Sequence, residues 1–261
     1  MVADGEGPPI VLVHSAIVDL RSWDAVVPFL AGAGYRVLRY DVRGYGRSTT
    51  EDVEFSNRDD LIAVLDARGI ERCALVGNSR GAMIALDTIL EAPERFVGFV
   101  WVGGGIGGFD GGVETLADEI ALFDEYEAAE KRGDVDAMAD IDVRIWVDGV
   151  GQPTDRVPSE IRDAVRDMDR PLVTPGRVFG RPITLDPPAN QRLGELRLPI
   201  LVTVGALDTS GTLASARRLA EATGRARLVT LRNVAHLVGM EQPARLAELV
   251  AQLLAGLPRW R

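Results

Sequence analysis

Cys73-Ala-Leu-Val-Gly77-Asn78-Ser79-Arg80-Gly81 is the stretch that decides the fold of this chain. Its apolar first half, residues 73–77, reads as a buried strand, and residues 79–92, stopped by Pro93, read as a helix. Between them lies the pattern Gly-x-Ser-x-Gly. A strand that turns straight into a helix leaves no room for side chains beside the serine, and the turn projects the serine hydroxyl above the sheet edge. The helix N-terminus beneath it favours negative charge developing there. Ser79 is therefore the candidate nucleophile. The bare pattern also occurs as a surface turn, and it is the strand and helix on either side that give it chemical meaning.

Working outward, short apolar runs at 9–13, 35–40, 97–103, 199–204 and 226–231 join 73–77 as candidate strands. Helical patterns lie between and beyond them at 23–31, at 59–68, at 79–92 and at 241–257. The second is opened by a Ser56-x-x-Asp59 capping box and closed by Gly69. This alternation predicts the α/β class, with a mainly parallel sheet of about six strands flanked by helices. The rhythm breaks between residues 106 and 195. There, Gly103-Gly104-Gly105 and Gly107-Gly108 lead into the stripes Leu116/Ile120/Phe123 and Met138/Ile141/Ile145, and the chain returns through Pro182, Pro187 and Pro188 with no strand pattern. A helical excursion after the fourth predicted strand is expected to form a cap over the carboxyl ends of the strands, where open α/β sheets bind ligands. One core of residues 1–105 and 196–261 with an insertion at 106–195 is the domain reading.

The 261 residues are 46% hydrophobic and 26% charged, enough for a single large core. The longest apolar runs, such as residues 8–13, are far too short to span a bilayer. A net charge of −10 argues against nucleic acid and against an anionic membrane surface as partners. Residues 110–169 hold 18 acids and 6 bases, so this one segment carries the whole imbalance. Solvated helix faces are the expected reading, with a lid that repels anionic substrates as the alternative. The single cysteine, Cys73, excludes an internal disulfide and is expected to be a buried strand thiol. The start, Met-Val-Ala-Asp-Gly-Glu, is acidic and lacks the apolar stretch of a signal peptide, so a cytoplasmic location is expected.

A serine hydroxyl attacks only when a positioned base takes its proton, and histidine titrates in the useful range. The chain offers two histidines, His14 and His236, each just after a predicted strand. His236, in the loop before the last helix, is the expected base. His14 is read as a hydrogen-bonded structural residue. The base needs a carboxylate to fix its tautomer. Asp208, reached from strand 199–204 through Gly205-Ala206-Leu207, is the expected partner, with Asp110 as its rival. The chain order Ser79, Asp208, His236 fits the nucleophile-elbow arrangement.

With these residues in view, the chain resembles the α/β-hydrolase-fold serine hydrolases over most of its length. The resemblance rests on His14-Ser15-Ala16, Trp23-Asp24, the run from Tyr40-Asp41-Val42-Arg43-Gly44 to Ser48, the elbow, Gly205-Ala206-Leu207-Asp208, and His236 with Glu241-Gln242-Pro243. Its N-terminal hundred residues look most like 3-oxoadipate enol-lactonases and related small esterases. The resemblance implies an oxyanion hole made by the backbone amides of Ala16 and Arg80, although the family's usual His-Gly reads His14-Ser15 here. It also implies that the N-terminal antiparallel hairpin of the family is missing, since only eight residues precede the strand at 9–13. The Arg80 side chain is expected either to pair with an acid such as Asp19 or with backbone, or to receive a substrate carboxylate. Phe123, Ile145 and Trp146 are the candidate pocket residues.

The expected substrate is a small ester or lactone, with no cofactor and no metal. A carbon–carbon bond hydrolase, or a non-catalytic ligand-binding or signalling protein on the same scaffold, remains open. Haloalkane dehalogenases and epoxide hydrolases resemble the fold but use an aspartate nucleophile, which Ser79 argues against.

Overall fold

The computed structural model describes residues 1–257. Nine strands form in chain order: β1 (Val2–Asp4), β2 (Pro9–Val13), β3 (Arg36–Tyr40), β4 (Glu54–Phe55), β5 (Cys73–Asn78), β6 (Phe96–Val102), β7 (Arg181–Pro182), β8 (Ile200–Gly205) and β9 (Arg227–Leu231). Seven of them make one sheet in the order β1-β3-β2-β5-β6-β8-β9, parallel throughout except for β1 against β3. The six predicted strands are all present within a residue at each end. The missing hairpin needs a correction, because Val2–Asp4 adds a short antiparallel edge strand, with Ala3 opposite Leu38.

Alternate residues of each central strand serve opposite faces, as the strand period of two requires. Val11, Val13, Leu75, Phe99 and Trp101 pack on one side with Leu61 and Leu65, with Ile84 and Ile89 from Arg80–Glu91, and with Leu219. Ile10, Leu12, Ala74, Val76 and Val100 pack on the other with Trp23, Leu30, Leu246 and Val250. Both faces are covered, which is why these strands read as continuous apolar runs.

The capping box forms as expected, with Ser56 Oγ accepting from the Asp59 amide at 3.1 Å. The helix expected at 23–31 divides instead into a 3₁₀ turn at Leu20–Trp23 and a helix at Val27–Gly32. Pro28 explains the break, because it lacks an amide donor and favours the first turn of a new helix.

Between β6 and β8 the chain forms helices at Ala117–Arg132, Val135–Val143 and Ser159–Val173, with a π turn at Arg144–Asp148. One strand interrupts it, since β7 pairs with β4, Phe55 opposite Pro182. Val143, Val147, Val157 and Met168 of this segment bury against Val18 and Leu237, which lie in loops after β2 and β9. The segment is thereby seated over the carboxyl ends of the strands.

The first stripe of the segment turns the other way from its expected packing. Leu116, Ile120 and Phe123 are exposed, while Glu119 is buried. The reason is electrostatic: both Glu119 carboxylate oxygens accept hydrogen bonds from Ser210, at 2.7 Å from its amide and 2.6 Å from its hydroxyl, at the start of helix Ser210–Thr223. The second stripe, Met138/Ile141/Ile145, is buried with Leu122 and Ala129.

Close backbone approach closes the sheet edge. A Cβ on Gly205, the last residue of β8, would lie 2.1 Å from the Ala235 carbonyl oxygen and 2.2 Å from that of Val234. Gly205→Ala is expected to cost more than about 3 kcal/mol of stability, the range of severe overpacking, measured by urea denaturation; a loss under about 1 kcal/mol would show that the loop yields.

Candidate active site

Ser79 stands at the N-cap of helix Arg80–Glu91 with φ 54° and ψ −118°. A non-glycine residue in this region carries strain of about 1–3 kcal/mol, held in place by its surroundings. The two elbow glycines show what holds it. A Cβ on Gly81 would lie 2.1 Å from the Val13 carbonyl oxygen, and one on Gly77 2.4 Å from that of Gly81. The helix thus packs backbone to backbone against the end of β2, and the serine amide donates to the Val102 carbonyl at 2.9 Å.

The Asp208 and His236 side chains meet. The His236 Nδ1 lies 2.9 Å from Asp208 Oδ2 and 3.0 Å from Oδ1, with both side chains buried. Oδ1 also accepts from the Thr209 amide at 2.8 Å. With Nδ1 facing a carboxylate, the imidazole places its proton there and leaves Nε2 free as an acceptor. Gly103 leaves space for the pair, since a Cβ there would come within 3.0 Å of Asp208 Oδ2 and 3.4 Å of His236 Nδ1. Ser79 and His236 line one cavity of about 330 Å³ together with Gly103, Gly104, Phe109, Asp110 and Trp146.

The rivals make other contacts. His14 is fully buried, with Nδ1 donating to the Ser15 carbonyl at 2.8 Å and Nε2 accepting from the Val42 amide at 3.0 Å. Both nitrogens are used in the neutral form, and burial pushes its pKa below the ordinary histidine value. Asp110 is exposed at the cavity rim and accepts from the Gly112 amide.

Ala16 is half-buried in the loop after β2, and Arg80 is the first residue of its helix, so its amide has no intrahelical acceptor. The Arg80 side chain does not pair with Asp19, which instead holds Arg21 at 2.7 Å. Its guanidinium lies 5.2 Å from the Tyr45 ring centroid, and its Nε is buried without a hydrogen-bond partner. Of the pocket candidates, Trp146 lines the cavity with its ring 4.6 Å from that of His236. Phe123 lies 6.5 Å beyond Trp146, on the exposed face. Ile145 is the exception: it is buried among Leu122, Met138 and Ile141 inside the helical segment rather than at the cavity.

Sequence reading missed the residues that hold the His236 loop. Asn78 Nδ2 donates to the His236 carbonyl at 3.2 Å and to that of Val102 at 3.0 Å. The His236 amide donates to the Trp146 carbonyl at 3.2 Å. Glu241 accepts from the Ala235 amide at 2.8 Å and pairs with Arg156 at 2.7 Å, both side chains being nearly inaccessible. Burial raises the Glu241 pKa, and Arg156 opposes that rise. Arg156 also donates to the carbonyls of Asp148 at 2.6 Å and Asn233 at 2.8 Å, so it ties the helical segment to the histidine loop. The neighbouring Asn78 was the available signal, since it sits inside the elbow motif; a long-range pair such as Arg156–Glu241 leaves none.

Sheet order, inserted helices and the elbow at the end of β5 define an α/β-hydrolase fold. The chain belongs to the alpha/beta hydrolase family, whose profile matches residues 10–249. Among curated relatives, epoxide hydrolase B of Mycobacterium tuberculosis is 39% identical over 104 residues, 38% of this chain and 29% of that enzyme, so the chain spans less than a third of that relative's length. Strigolactone esterase D14 of Arabidopsis thaliana is 26% identical over 257 residues, 93% of this chain and 91% of that protein. The solved structure of Est816, described as an N-acyl homoserine lactone degrading enzyme, matches with a TM-score of 0.72 at 27% identity, covering 97% of this chain and 95% of that one. Among the described residues, no helix is long and apolar enough to cross a membrane.

Glu241→Ala leaves the buried Arg156 charge without its partner. It is expected to cost about 3–5 kcal/mol in chemical denaturation, and Glu241→Gln less; equal stability of the alanine variant and the parent would remove this pair from the account of how the histidine loop is held.

Proposed function

We propose that the protein is a cofactor-independent serine hydrolase that cleaves small carboxylic esters or lactones. Ser79 Oγ attacks the carbonyl carbon while His236 Nε2 takes its proton, and Asp208 orients the imidazole and stabilises the imidazolium. The amides of Ala16 and Arg80 hold the oxygen that becomes negative in the tetrahedral intermediate. As that intermediate collapses, His236 returns the proton to the departing alkoxide, which in a lactone stays tethered. A water molecule, deprotonated by His236, then attacks the acyl-enzyme and frees the acid and Ser79.

The observation that carries this reading is the buried Asp208–His236 pair facing the same cavity as Ser79. A carboxylate accepting from Nδ1 selects the tautomer that a general base needs. The esterase and lactone-degrading relatives support an acyl substrate. The epoxide hydrolase match covers 104 residues, and the elbow here presents a hydroxyl instead of the carboxylate an epoxide-opening nucleophile uses. We read residues 106–195 as the cap that shapes the pocket, with Trp146 as its contribution beside the histidine.

Intact-mass spectrometry after fluorophosphonate treatment is expected to show one adduct, on Ser79, absent in Ser79→Ala and His236→Ala. Ester turnover should fall about a millionfold in Ser79→Ala and about 10⁴-fold in Asp208→Asn, with melting temperature close to that of the parent for Ser79→Ala. Retained turnover in Ser79→Ala would end the proposal.

A further inference from the structure

The buried acids of the molecule nearly all have partners. Asp19 holds Arg21, Asp148 holds Arg162 at 2.9 Å, Glu119 holds Ser210, and Asp208 holds His236. Asp142 and Asp169, in the inserted helices, are different. Both are buried, and they lie close enough for Asp142 to raise the pKa of Asp169. Asp142 Oδ1 accepts from the Trp146 indole nitrogen at 2.9 Å. Asp169 Oδ2 is buried with no hydrogen-bond partner. Among the described residues neither aspartate forms an ion pair, in a chain that has 29 Lys and Arg residues. A buried carboxylate without a counter-charge is costly, and proteins normally neutralise it.

Both aspartates line a cavity of about 540 Å³, whose other walls include Ala16, Ile17, Tyr126, Met138 and Phe179. The remaining charged groups there are Glu130 and Arg177, and Arg177 is engaged through Nε with the Gly44 carbonyl at 3.0 Å. Tyr126 sits close enough for the two aspartates to raise its pKa further than burial alone does. The cavity shares Ala16 with the proposed oxyanion loop, and through Asp142 and Trp146 it is one side chain removed from His236.

We propose that this cavity is a subsite for an organic ammonium group, with Asp169 and Asp142 as its receptors and the apolar walls as the seat for the carbon body that bears it. An ammonium group brings a positive charge and N–H donors to a pair of buried acids at the cavity wall, and a neutral ligand of the same shape brings no charge. Burial raises both carboxyl groups above the usual aspartate range, Asp169 further because Asp142 also repels it, so the two titrate as a pair that gives up its first proton more readily than its second. Placing the amine on the substrate rests on the hydrolase reading, whereas binding of the amine does not.

The experiment is calorimetric titration of full-length Ser79→Ala with benzylammonium, and with benzyl alcohol as the neutral probe of like shape. Saturable one-to-one binding of the ammonium, about tenfold or more tighter than the alcohol, is expected. The same loss is expected for the ammonium in Asp169→Asn and in Asp142→Asn, and on lowering the pH from 7 to 5. Folding is monitored alongside. A carboxyl whose native pKa is raised destabilises the fold progressively as pH rises from about 4 to its native value. Asp169→Asn should therefore flatten the fall in melting temperature between pH 5 and 8. Equal affinity for amine and alcohol, or ammonium binding unchanged in the folded asparagine variants, overturns the proposal. In the parent enzyme, an ester bearing an amine should exceed its neutral isostere in kcat/KM; ammonium binding without labelling of Ser79 by fluorophosphonate would leave this subsite standing and remove the hydrolase reading.

Discussion

Everything at the carboxyl edge of the sheet depends on main chains brought closer together than side chains allow. At the elbow, Gly77 and Gly81 let helix Arg80–Glu91 press onto the end of β2, with a Cβ on Gly81 excluded by Val13 and His14. At the other side of the edge, Gly205 presses onto residues 234 and 235, and Gly103 leaves the space in which Asp208 and His236 meet. These contacts fix the relative heights of three loops that come from distant parts of the sequence. Ser79 is strained into positive φ because the elbow it occupies is bounded on both sides by backbone that cannot retreat. Placement of the proposed nucleophile and its proposed base is thus a property of the sheet edge, and the side chains inherit it.

Loops packed so tightly must still satisfy their polar groups, and the structure does so with side chains. His14 spends both ring nitrogens on the loops after β2 and β3, which is why its neutral form is favoured and why it is unavailable as a base. Asn78 fastens the carbonyl of His236 to the elbow, and Arg156 with Glu241 fastens the same loop to the inserted helices. The inserted segment is therefore part of the support of the histidine loop. Removing a charge from the Arg156–Glu241 pair acts on the histidine loop and on the segment together, because one guanidinium bridges both.

The legible part of the molecule is the part governed by local rules. Strands with both faces covered announce themselves as apolar runs, and Gly-x-Ser-x-Gly carries its own steric reason, so the six central strands, the tight turn at Ser79 and the contact between Asp208 and His236 were readable in advance. What escaped reading was decided by distant partners. Val2–Asp4 is three residues long and exists because β3 offers it an edge. Leu116, Ile120 and Phe123 have the spacing of a buried stripe, yet Ser210 captures Glu119 and rolls the helix so that the stripe faces outward. Ile145 and Trp146 are adjacent in sequence, but the π turn sends one into the segment's own core and the other to the cavity. The acidic segment does expose 14 of its 18 acids, as solvated faces would, but Glu119, Asp142, Asp148 and Asp169 are buried.

Those four acids show how differently one residue type can be used. Glu119 and Asp148 are held by donors that compensate their burial, and they orient helices. Asp142 and Asp169 are buried side by side, and Asp142 adds to the cost of ionising Asp169. A group that lowers stability and is kept at a cavity wall beside the proposed catalytic loop is the pattern expected where binding has taken precedence over stability. Trp146 makes the connection physical. Its ring rests against His236 while its indole N–H is committed to Asp142. The charge state of the aspartate pair is therefore felt at one end of the same side chain whose other surface packs on the proposed base. Filling the subsite with a cation fixes that charge and holds Asp142 in its role as acceptor, so occupancy of the second cavity and the position of the ring over the histidine are coupled through one hydrogen bond.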